Sequence, residues 1–441
     1  MKEYDAIVIG GGILGCCLAR NLRRWNISVL LLEKEEDVCR GITRANSAIV
    51  YPGYDNKPGS RKAAMTARGN ANMESLCREL EVPFSRRGSL LVTYDRDSVV
   101  KLEKKQRNAE KNGVPGVRLL SGPEAEAMEP MLRKGVAAAL YAPTTGTVNP
   151  WLLGIAAWEN ALQNGAESRL GREVTAITPE ESCFLVETPE KAFRGRMVFN
   201  CAGMSADRVQ ELAYPSRVKL ELDSAEYLVF DSMAKKPERI IFLQASSCGK
   251  GITAIPCVEG NLLISGVRKP MGEPFATTPE GLEELRRDTL ALLPQAEPEK
   301  IIRSFAAVRP NPYTESGESL HDFCVETPAP GFYSLIGIKT PGLTASNELA
   351  LWLAEQAAEY LRAEENPDFN PNRRGITEID NEIICQCEQI TKAEIIEAIR
   401  RGARTVDGVK RRVGSGMGRC QGSRCACEIE KLLEEYGHGT L

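Results

Sequence analysis

The chain has 441 residues, of which 42% are hydrophobic and 26% charged, and its formal net charge is -4. This length exceeds what one hydrophobic core supports, so two or three domains are expected. The composition excludes a disordered or fibrous chain, and basic residues scattered along a net acidic chain exclude a nucleic-acid binder. No apolar run reaches the roughly 18 residues of a transmembrane helix, and no signal peptide precedes the first predicted strand. We therefore expect a cytoplasmic protein without an integral membrane segment.

The first elements along the chain predict half of a βαβ unit. An apolar run at 6–9 is followed by a glycine-rich turn, a helix-compatible stretch at 13–24 and a second apolar run at 28–32 that ends at Glu33. Gly10, Gly12 and Gly15 form the pattern G-x-G-x-x-G between the first strand and the helix. Such a turn brings a pyrophosphate against backbone amides at a helix N-terminus.

Glu33 stands about twenty residues beyond the glycines, where a carboxylate accepts hydrogen bonds from the ribose hydroxyls of a dinucleotide. The glycines and this carboxylate predict a dinucleotide-binding domain. They fit NAD as well as FAD, so the turn alone leaves the cofactor open.

The middle of the chain leaves this pattern twice and returns to it twice. Helices are predicted at 76–81, 98–111 and 346–362, and strands at 88–93, 172–177, 197–202, 227–230, 251–255, 261–267 and 332–338. The predicted fold class is α/β, with a Rossmann-type FAD-binding domain that is interrupted by an antiparallel-sheet substrate domain. The predicted ranges are 1–80, 145–215 and 325–365 for the first domain, and 81–144 and 216–324 for the second.

A polar, proline-bearing linker at 366–378 precedes a small, helical, cysteine-rich module at 379–441. In this module Cys385 and Cys387 are separated by one residue, and Cys420 and Cys425 by four. Two pairs of thiolates hold either a [2Fe-2S] cluster or a tetrahedral zinc ion. The spacing favours the cluster, because structural zinc sites usually have two to four residues within each pair.

Two further features of the module bear on that site. Thr391 and Glu394 form the sequence pattern of a capping box for a helix at 392–401. Cys427 lies two residues beyond the fourth predicted ligand, and we interpret it as a bystander. The remaining nine of the 14 cysteines are scattered and are expected to act as small buried hydrophobes. With Gly414 to Gly422, the four cysteines resemble a bacterioferritin-associated-ferredoxin-like module, which implies a [2Fe-2S] cluster.

The larger part of the chain, 1–365, resembles the D-amino-acid-oxidase-like superfamily of flavoproteins, in its glycerol-3-phosphate and L-2-hydroxyglutarate dehydrogenase branch. The segments that carry the resemblance are Arg44-Ala45-Asn46-Ser47-Ala48, Asn200-Cys201-Ala202-Gly203, Arg309-Pro310 and Gly337-Ile338-Lys339-Thr340-Pro341-Gly342-Leu343-Thr344. The resemblance implies FAD as the dinucleotide. It also implies further cofactor-binding residues, namely Arg44, Asn46, Ser47, Val174, Ala202, Gly203, Gly337, Lys339, Gly342, Leu343 and Thr344.

In that family the last of these segments lies against the flavin ring. A glycine-rich turn that feeds a helix N-terminus places amides and a positive dipole where the reduced flavin gathers negative charge. Lys339 would add a full positive charge there, so it is predicted to act in catalysis as well as in cofactor binding.

The sequence departs from the family pattern where a histidine usually follows the asparagine-serine pair. Tyr51 stands in its place, and a tyrosine, with an unperturbed pKa of about 10, removes a proton from an alcohol only if it is strongly activated. The chain has only two histidines, His321 and His438, and both are predicted to be solvated. An amine substrate needs no base to form an alkoxide. An amino-acid or imino-acid dehydrogenase therefore remains an alternative function.

Arg309 precedes a proline where the substrate domain returns towards the flavin, and its guanidinium is predicted to hold a carboxylate or phosphate. Glu226 and Tyr227 begin an inner strand of that domain and are predicted to face the same pocket. The predicted catalytic residues are thus Tyr51, Arg309 and Lys339.

These predictions define three hypotheses. The first is an FAD-dependent dehydrogenase that oxidises a small anionic hydroxy compound, either glycerol 3-phosphate or a 2-hydroxy acid, and sends electrons through the cluster to a redox partner protein. The second changes the substrate to an amino or imino acid. The third is an electron-transfer subunit of a larger complex with a degenerate active site.

Overall fold

The computed structural model describes residues 2–233, 235–245, 251–266 and 268–437. Within them the strands are β1 Glu3–Ile9, β2 Val29–Leu32, β3 Ile49–Val50, β4 Phe84–Arg86, β5 Ser89–Thr93, β6 Arg118–Ser121, β7 Ala138–Ala142, β8 Gly146–Val148, β9 Glu167–Arg169, β10 Ala176–Pro179, β11 Phe184–Glu187, β12 Ala192–Asn200, β13 Val218–Phe230, β14 Ile240–Leu243, β15 Thr253–Pro256, β16 Leu262–Ser265, β17 Lys269–Pro270, β18 Ile301–Thr314, β19 Cys324–Ala329, β20 Phe332–Ile336, β21 Ile383–Cys385 and β22 Ile390–Thr391.

The helices of these ranges are α1 Ile13–Leu22, α2 Arg61–Glu79, α3 Val99–Lys111, α4 Gly122–Met128, α5 Pro150–Gln163, α6 Ala206–Glu211, α7 Pro279–Leu292, α8 Gly342–Leu361, α9 Lys392–Arg400, α10 Val406–Val413 and α11 Ala426–Tyr436. None of them is both long and apolar enough to cross a membrane.

The first large sheet contains the predicted nucleotide-binding strands. Its order is β10-β11-β12-β1-β2-β9, with β20 paired to β12 and β19 to β20. The pairs β12-β1, β1-β2, β2-β9 and β12-β20 are parallel. Helices pack on this sheet, so strands such as β1 are buried on both faces and read as continuous apolar runs. This α/β arrangement confirms the predicted fold class.

The second large sheet has the order β17-β13-β16-β15-β14-β5-β7-β6, with β18 paired to β13. It is antiparallel as predicted, except that β14 and β5 run parallel. Its strands come from 89–142 and 218–314, whereas β19, which begins at Cys324, belongs to the first sheet. A third, small sheet has the order β3-β8-β4. The exact domain boundaries given above remain a prediction.

Several predicted elements have other bounds than the observed ones; the strand predicted at 227–230, for example, is only the end of β13. The helix predicted at 76–81 is only the last part of α2, which begins at Arg61. Its buried face includes small or polar residues such as Ala63, Gly69 and Asn70. Large hydrophobic residues therefore do not recur clearly at the spacing of a helix. The strand predicted at 172–177 begins only at Ala176, which leaves Val174 in the preceding loop. Val267, the end of another predicted strand, lies outside the described residues.

The cysteine-rich module is helical, as predicted, with its own apolar core, which includes Ile395, Ile399, Val409 and Ile429. The predicted capping box of α9 is present: Thr391 and Glu394 each accept a hydrogen bond from the other's backbone N–H.

The linker at 366–378 contains neither helix nor strand, but it makes hydrogen bonds to helices α2 and α5 and the residue after α2. Arg373 is buried, and its Nε donates to Glu159 at 2.7 Å. Its Nη1 donates to the carbonyl oxygen of Leu80 at 3.3 Å.

Candidate functional site

A cavity of about 850 Å³ lies between the carboxyl ends of the parallel strands and the second large sheet. Most of the residues predicted from the sequence line it: Gly10, Gly12, Glu33, Arg44, Asn46, Ser47, Tyr51, Val174, Ala202, Gly203, Arg309, Lys339, Gly342 and Leu343. Three predicted residues, Gly15, Gly337 and Thr344, lie behind its wall instead. The structure thus brings one end and the middle of the chain to a single site, at the strand ends where α/β sheets bind ligands.

Two of the three glycines in the turn leave no room for a side chain, and the third opens the backbone to the cavity. Gly10 has a φ of +104°, and a Cβ there would lie 2.6 Å from the carbonyl oxygen of Cys201. A Cβ at Gly15 would overlap the carbonyl oxygen of Gly10, so this glycine lets α1 pack against the turn. At Gly12 the nearest atom would be the Thr43 hydroxyl at 3.5 Å, so the backbone is open towards the cavity. This cradle fits a pyrophosphate at the start of α1.

Replacing Gly15 with alanine is expected to yield protein without bound dinucleotide, because α1 must move away from the turn to admit the methyl group. Overpacking of this kind costs about 1–3 kcal/mol, and the displaced helix N-terminus no longer meets the pyrophosphate. Gly272→Ala is the control, since nothing lies within 4 Å of a Cβ there. The ratio of flavin absorbance to protein absorbance measures both; equal ratios for the two variants would contradict the assigned role.

Glu33 is held by the backbone on both of its oxygens. Oε2 accepts the N–H of Gly11 at 2.5 Å, and Oε1 accepts the N–H of Glu35 at 2.9 Å. Burial raises the pKa of this carboxyl, and the two N–H groups oppose the shift. The side chain lines the cavity in one fixed orientation, as an acceptor for ribose hydroxyls requires.

The segment after the second strand is folded by its own side chains. The Asn46 side chain donates to the carbonyl oxygen of Thr43 at 2.8 Å and accepts the N–H of Ala48 at 2.8 Å. The hydroxyl of Thr43 accepts the N–H of Ile13 at 3.0 Å, which fixes this loop against the first turn of α1. Arg44 stacks on the ring of Phe275, 5.0 Å from its centroid. Asn46 therefore shapes the cavity wall, and Arg44 supplies a positive charge in it.

At the other end of the cavity, α8 begins at Gly342 and points its positive dipole inwards. Gly337 has a φ of +70°, and a Cβ there would meet Pro312 at 2.6 Å, so its contribution is a close backbone turn. The hydroxyl of Thr344 accepts the backbone N–H of Tyr51 at 2.9 Å and is fully buried. Thr344 thus joins α8 to the segment that carries Tyr51.

Lys339 lies in the cavity wall with 7% of its surface exposed. Its Nζ donates to the carbonyl oxygen of Leu320 at 2.9 Å. Burial lowers the pKa of this amine, and the positive charge of Arg268 lowers it further, while Asp223 acts in the opposite direction. The neutral amine is therefore more accessible here than for a lysine in water.

Tyr51 also faces the cavity, and its hydroxyl lies 3.4 Å from that of Ser47. Burial raises the pKa of Tyr51, although Ser47 and Arg268 lower it in part. The phenol is therefore protonated at neutral pH and suits the role of a hydrogen-bond donor rather than that of a base.

Arg309 lines the cavity with two buried nitrogens, Nε and Nη1, that have no hydrogen-bond partner among the described residues. A buried donor without a partner costs free energy unless a ligand satisfies it. Arg268, in the loop after β16, adds a second guanidinium to the same wall. Together they fit a phosphate or a carboxylate.

Other predicted residues lie elsewhere. Tyr227 lines the cavity, but the prediction that Glu226 faces it was wrong. The Glu226 carboxylate accepts the N–H and the hydroxyl of Thr278, at the start of α7. His321 is exposed, and His438 lies outside the described residues.

The four predicted cysteine ligands lie together in the module. The thiol of Cys425 contacts that of Cys385, and burial together with this neighbour raises the pKa of Cys425 to about 11. The thiol of Cys420 contacts that of Cys387, and its pKa is lowered, first by the N–H of Gly422 and then by Cys387. Cys385 and Cys425 are buried, whereas Cys387 and Cys420 are half-buried.

Glycines in the loop around these thiols let its backbone come close to the cysteines. The N–H of Gly416 points at the Cys385 sulfur at 3.4 Å, and a Cβ at Gly418 would lie 2.5 Å from that of Cys387. Among the described residues, no group of three or more His, Cys, Asp or Glu side chains is arranged to hold a metal ion. Two pairs of thiols within one loop system fit the two irons of a [2Fe-2S] cluster better than one tetrahedral ion. Cys427 is exposed on α11.

Comparison with known families identifies the larger part of the chain. Residues 5–356 match the family described as FAD dependent oxidoreductase. The chain belongs to this family. The dinucleotide of the glycine turn is therefore FAD, and the alternative of NAD is set aside. Residues 383–435 of this oxidoreductase match the BFD-like [2Fe-2S] binding domain, which decides between cluster and zinc in favour of the cluster.

Several known proteins are similar along most of their length. Glycerol 3-phosphate dehydrogenase of Caloramator mitchellensis is 37% identical and covers 98% of this chain and 95% of its own. Anaerobic glycerol-3-phosphate dehydrogenase subunit A1 of Haloferax volcanii is 24% identical and covers the whole of this chain and 84% of its own. The FAD-bound L-alpha-glycerophosphate oxidase of Mycoplasma pneumoniae has a similar fold, with a TM-score of 0.77, 23% identity and coverage of 85% of this chain and 99% of its own.

Sequence reasoning missed Thr43, Arg268 and Phe275, which all line the cavity. Thr43 stands beside the predicted Arg44, so its position in the segment offered a signal. Arg268 and Phe275 lie in irregular sequence after β16, where neither periodicity nor a motif marks them.

Proposed function

We propose that this FAD-dependent dehydrogenase oxidises glycerol 3-phosphate at its secondary hydroxyl and passes the electrons through its [2Fe-2S] cluster to a separate carrier. The observation that carries the proposal is that two buried guanidinium nitrogens of Arg309 have no partner among the described residues and lie in the same cavity as Lys339, an amine with a lowered pKa. The similarity to two proteins named as glycerol-3-phosphate dehydrogenases supports this substrate over a 2-hydroxy acid.

The two ends of the cavity bind different parts of the cofactor. The glycine turn, Glu33 and the segment at 44–47 hold the adenosine and pyrophosphate side of FAD, and Val174 in its loop faces the adenine. Ala202, Gly203, Gly342 and Leu343 bracket the ring side. Arg309, with Arg268, holds the phosphate of the substrate by charge-assisted hydrogen bonds. FAD bound there accepts a hydride from carbon.

Loss of a hydride from an alcohol requires that the hydroxyl proton also leave. Lys339 is the group we assign to accept it, because burial and Arg268 favour its neutral form. Tyr51 cannot take that role at neutral pH, since burial raises its pKa. It donates a hydrogen bond to the substrate instead. The absence of a histidine at position 51 is thus compatible with alcohol oxidation.

The cysteine module provides the exit for electrons. A [2Fe-2S] cluster accepts one electron at a time. Cys387 and Cys420 are half-buried, so a cluster held by the four cysteines would be accessible to a partner on their side. A redox partner protein or subunit is the natural acceptor there. The name of the Haloferax volcanii relative, a subunit, supports such an assembly.

The decisive experiment is an anaerobic titration of the purified holoenzyme with a panel of metabolites. Glycerol 3-phosphate is expected to bleach the flavin absorbance with one equivalent, while L-2-hydroxyglutarate, glycine and L-proline leave it unchanged. Bleaching by glycine or proline alone would establish the amino-acid alternative. Flavin that none of the compounds bleaches would establish the electron-transfer subunit.

Replacing Arg309 with methionine is expected to raise the KM for glycerol 3-phosphate by about 10- to 100-fold, since hydrogen bonds to charged groups contribute about 1.5–3 kcal/mol. Arg217→Met is the control, because Arg217 is exposed and lies outside the cavity. Steady-state kinetics with a dye acceptor measure both. An unchanged KM in the Arg309 variant would contradict its assignment to the phosphate.

A further inference from the structure

Asp37 is a buried carboxylate that the proposed chemistry does not use. It lies in the loop between β2 and the cavity-lining segment, and only 2% of its surface is exposed. A charged group is rarely buried so fully unless it is paired. Its partners come from the cysteine-rich module, about 370 residues further along the chain.

Two consecutive arginines of α10 bind this carboxylate. Nη2 of Arg411 donates to Oδ2 at 2.6 Å, and the two terminal nitrogens of Arg412 donate to Oδ2 at 2.8 Å and to Oδ1 at 3.0 Å. Nη1 of Arg411 also donates to the carbonyl oxygen of Val38 at 2.6 Å. A Cβ at Gly408 would lie 3.3 Å from Oδ2 of Asp37, so this glycine lets the helix approach the carboxylate closely.

The contact lies between the segments that bind the two cofactors. On one side, the N–H of Cys39 donates to the carbonyl oxygen of Gly11 in the FAD-binding turn at 2.8 Å, and Arg40 lines the FAD cavity. On the other side, α10 ends at Val413 and continues directly into the glycine loop whose Gly416 N–H points at the Cys385 sulfur. Asp37 is therefore two residues before Cys39, which contacts the FAD-binding turn. It is also hydrogen-bonded to α10, the helix that leads into the loop of the predicted cluster site.

Arg401, directly after α9, also pairs with the buried Glu159 of α5, at 3.6 Å, but two further contacts of the module are more exposed. Arg40 pairs with the partly exposed Asp407 at 3.2 Å, and Arg303 of β18 donates to the side chain of Gln421 at 3.2 Å on the surface. Exposed pairs of this kind stabilise little. The buried, multiply bonded Asp37 is the contact whose loss leaves two arginine charges without their partner.

We propose that Asp37 is a positioning residue for electron transfer: it fixes the cluster-binding loop relative to the FAD cavity and so sets the rate at which electrons pass between the two cofactors. The inference rests on the proposed function for the direction of electron flow. The substrate would give up a hydride and a proton, the bound FAD would take the two electrons, and the cluster, which carries one electron at a time, would hand them to the partner protein in two successive steps.

The test compares the holoenzyme with Asp37→Asn, which keeps the shape of the side chain and removes its charge. Flavin reduction by glycerol 3-phosphate, followed by stopped-flow absorbance, is expected to stay within about twofold of the parent. Appearance of the reduced cluster, followed by rapid-freeze electron paramagnetic resonance, is expected to slow by about tenfold or more, since small misplacements of reacting groups cost such factors. Hydrogen exchange of α10 in the same protein is expected to increase.

Asp5→Asn is the matched control, because Asp5 also pairs with an arginine, Arg196, but on the side of the first domain formed by β1 and β12. If Asp37→Asn does not fold, Asp407→Arg decides, since it sets like charges against Arg40 and Arg411 at a partly exposed position of the same interface. Cluster reduction as fast as in the parent, in whichever of the two variants folds, would overturn the proposal.

The failure of this inference can be told from a failure of the proposed function. Electrons are delivered to FAD by a flash-excited photoreductant in place of the substrate, and their transfer to the cluster is followed in the same way. A metabolite that does not bleach the flavin refutes the substrate assignment and leaves this measurement intact. Equal transfer rates in parent and variant after the flash refute the role of Asp37 alone.

Discussion

Replacing Lys339 with methionine is expected to slow the reduction of FAD by glycerol 3-phosphate by about 10²- to 10⁴-fold, the contribution typical of a positioned acid–base group. Methionine keeps the length and the apolar stem of the side chain, so the loss reports on the amine. The parent rate is expected to rise with pH, because only the neutral amine accepts a proton. The rise should level off below pH 10.5, since burial and Arg268 lower the pKa of Lys339 from that ordinary value.

The measurement is anaerobic stopped-flow bleaching at saturating substrate over a range of pH. In the variant the rise with pH should vanish along with the rate. Lys236→Met serves as the control, because Lys236 is a partly buried lysine outside the cavity whose Nζ, like that of Lys339, donates to a backbone carbonyl oxygen, here that of Gly260. A variant at position 339 that keeps the parent's rise with pH would show that another group takes the proton.

Replacing Cys385 or Cys420 with serine is expected to abolish the absorbance of the [2Fe-2S] cluster while FAD stays bound. Each change removes one of the four predicted thiolate ligands, and the cysteines stand in a module with an apolar core of its own. Glycerol 3-phosphate should still bleach the flavin once. Turnover with a one-electron acceptor protein should fall to background, because electrons can no longer pass from the flavin through the cluster to the acceptor.

Cys427→Ser is the control for this pair, since Cys427 is exposed on α11 and contributes nothing to the predicted cluster. Iron analysis and the visible spectrum of the three purified variants decide the outcome. A full iron content in both the Cys385 and the Cys420 variants, or its loss in the Cys427 variant, would contradict the assigned ligands.

Local patterns predicted the cofactor-binding elements well because each depends on a few neighbouring residues. The positive φ of Gly10 and the contact that excludes a side chain at Gly15, with the carbonyl oxygen of Gly10, both lie within one strand, turn and helix, so the spacing of the glycines is enough to recognise the turn. The capping box of α9 is likewise a matter of Thr391 and Glu394 alone. Helix α2 was predicted poorly, since its buried face depends on close packing: a Cβ at Gly69 would overlap the carbonyl oxygen of Thr344 in α8.

On the substrate side of the site, the sequence did not predict which charged side chains face the cavity. Arg309 and Glu226 are both charged residues on strands of the second sheet, and both were predicted to face the pocket. The structure separates them, because the Glu226 carboxylate accepts hydrogen bonds from Thr278 at the start of α7, whereas two nitrogens of Arg309 find no partner within the described ranges. Which way such a side chain points depends on a segment some fifty residues away from Glu226.

The sequence by itself determined that a glycine turn, an acidic strand end and two cysteine pairs were present, and hence that the protein contains a dinucleotide fold and a metal-binding module. Only the tertiary structure decided that Lys339 is buried near Arg268, that two nitrogens of Arg309 in the cavity have no partner in the part of the chain that the structure describes, and that Asp37 joins the two cofactor modules. The physical reason is that turns and ligand pairs are encoded by residues close in the chain. Burial, unsatisfied donors and buried ion pairs arise between segments that meet only on folding.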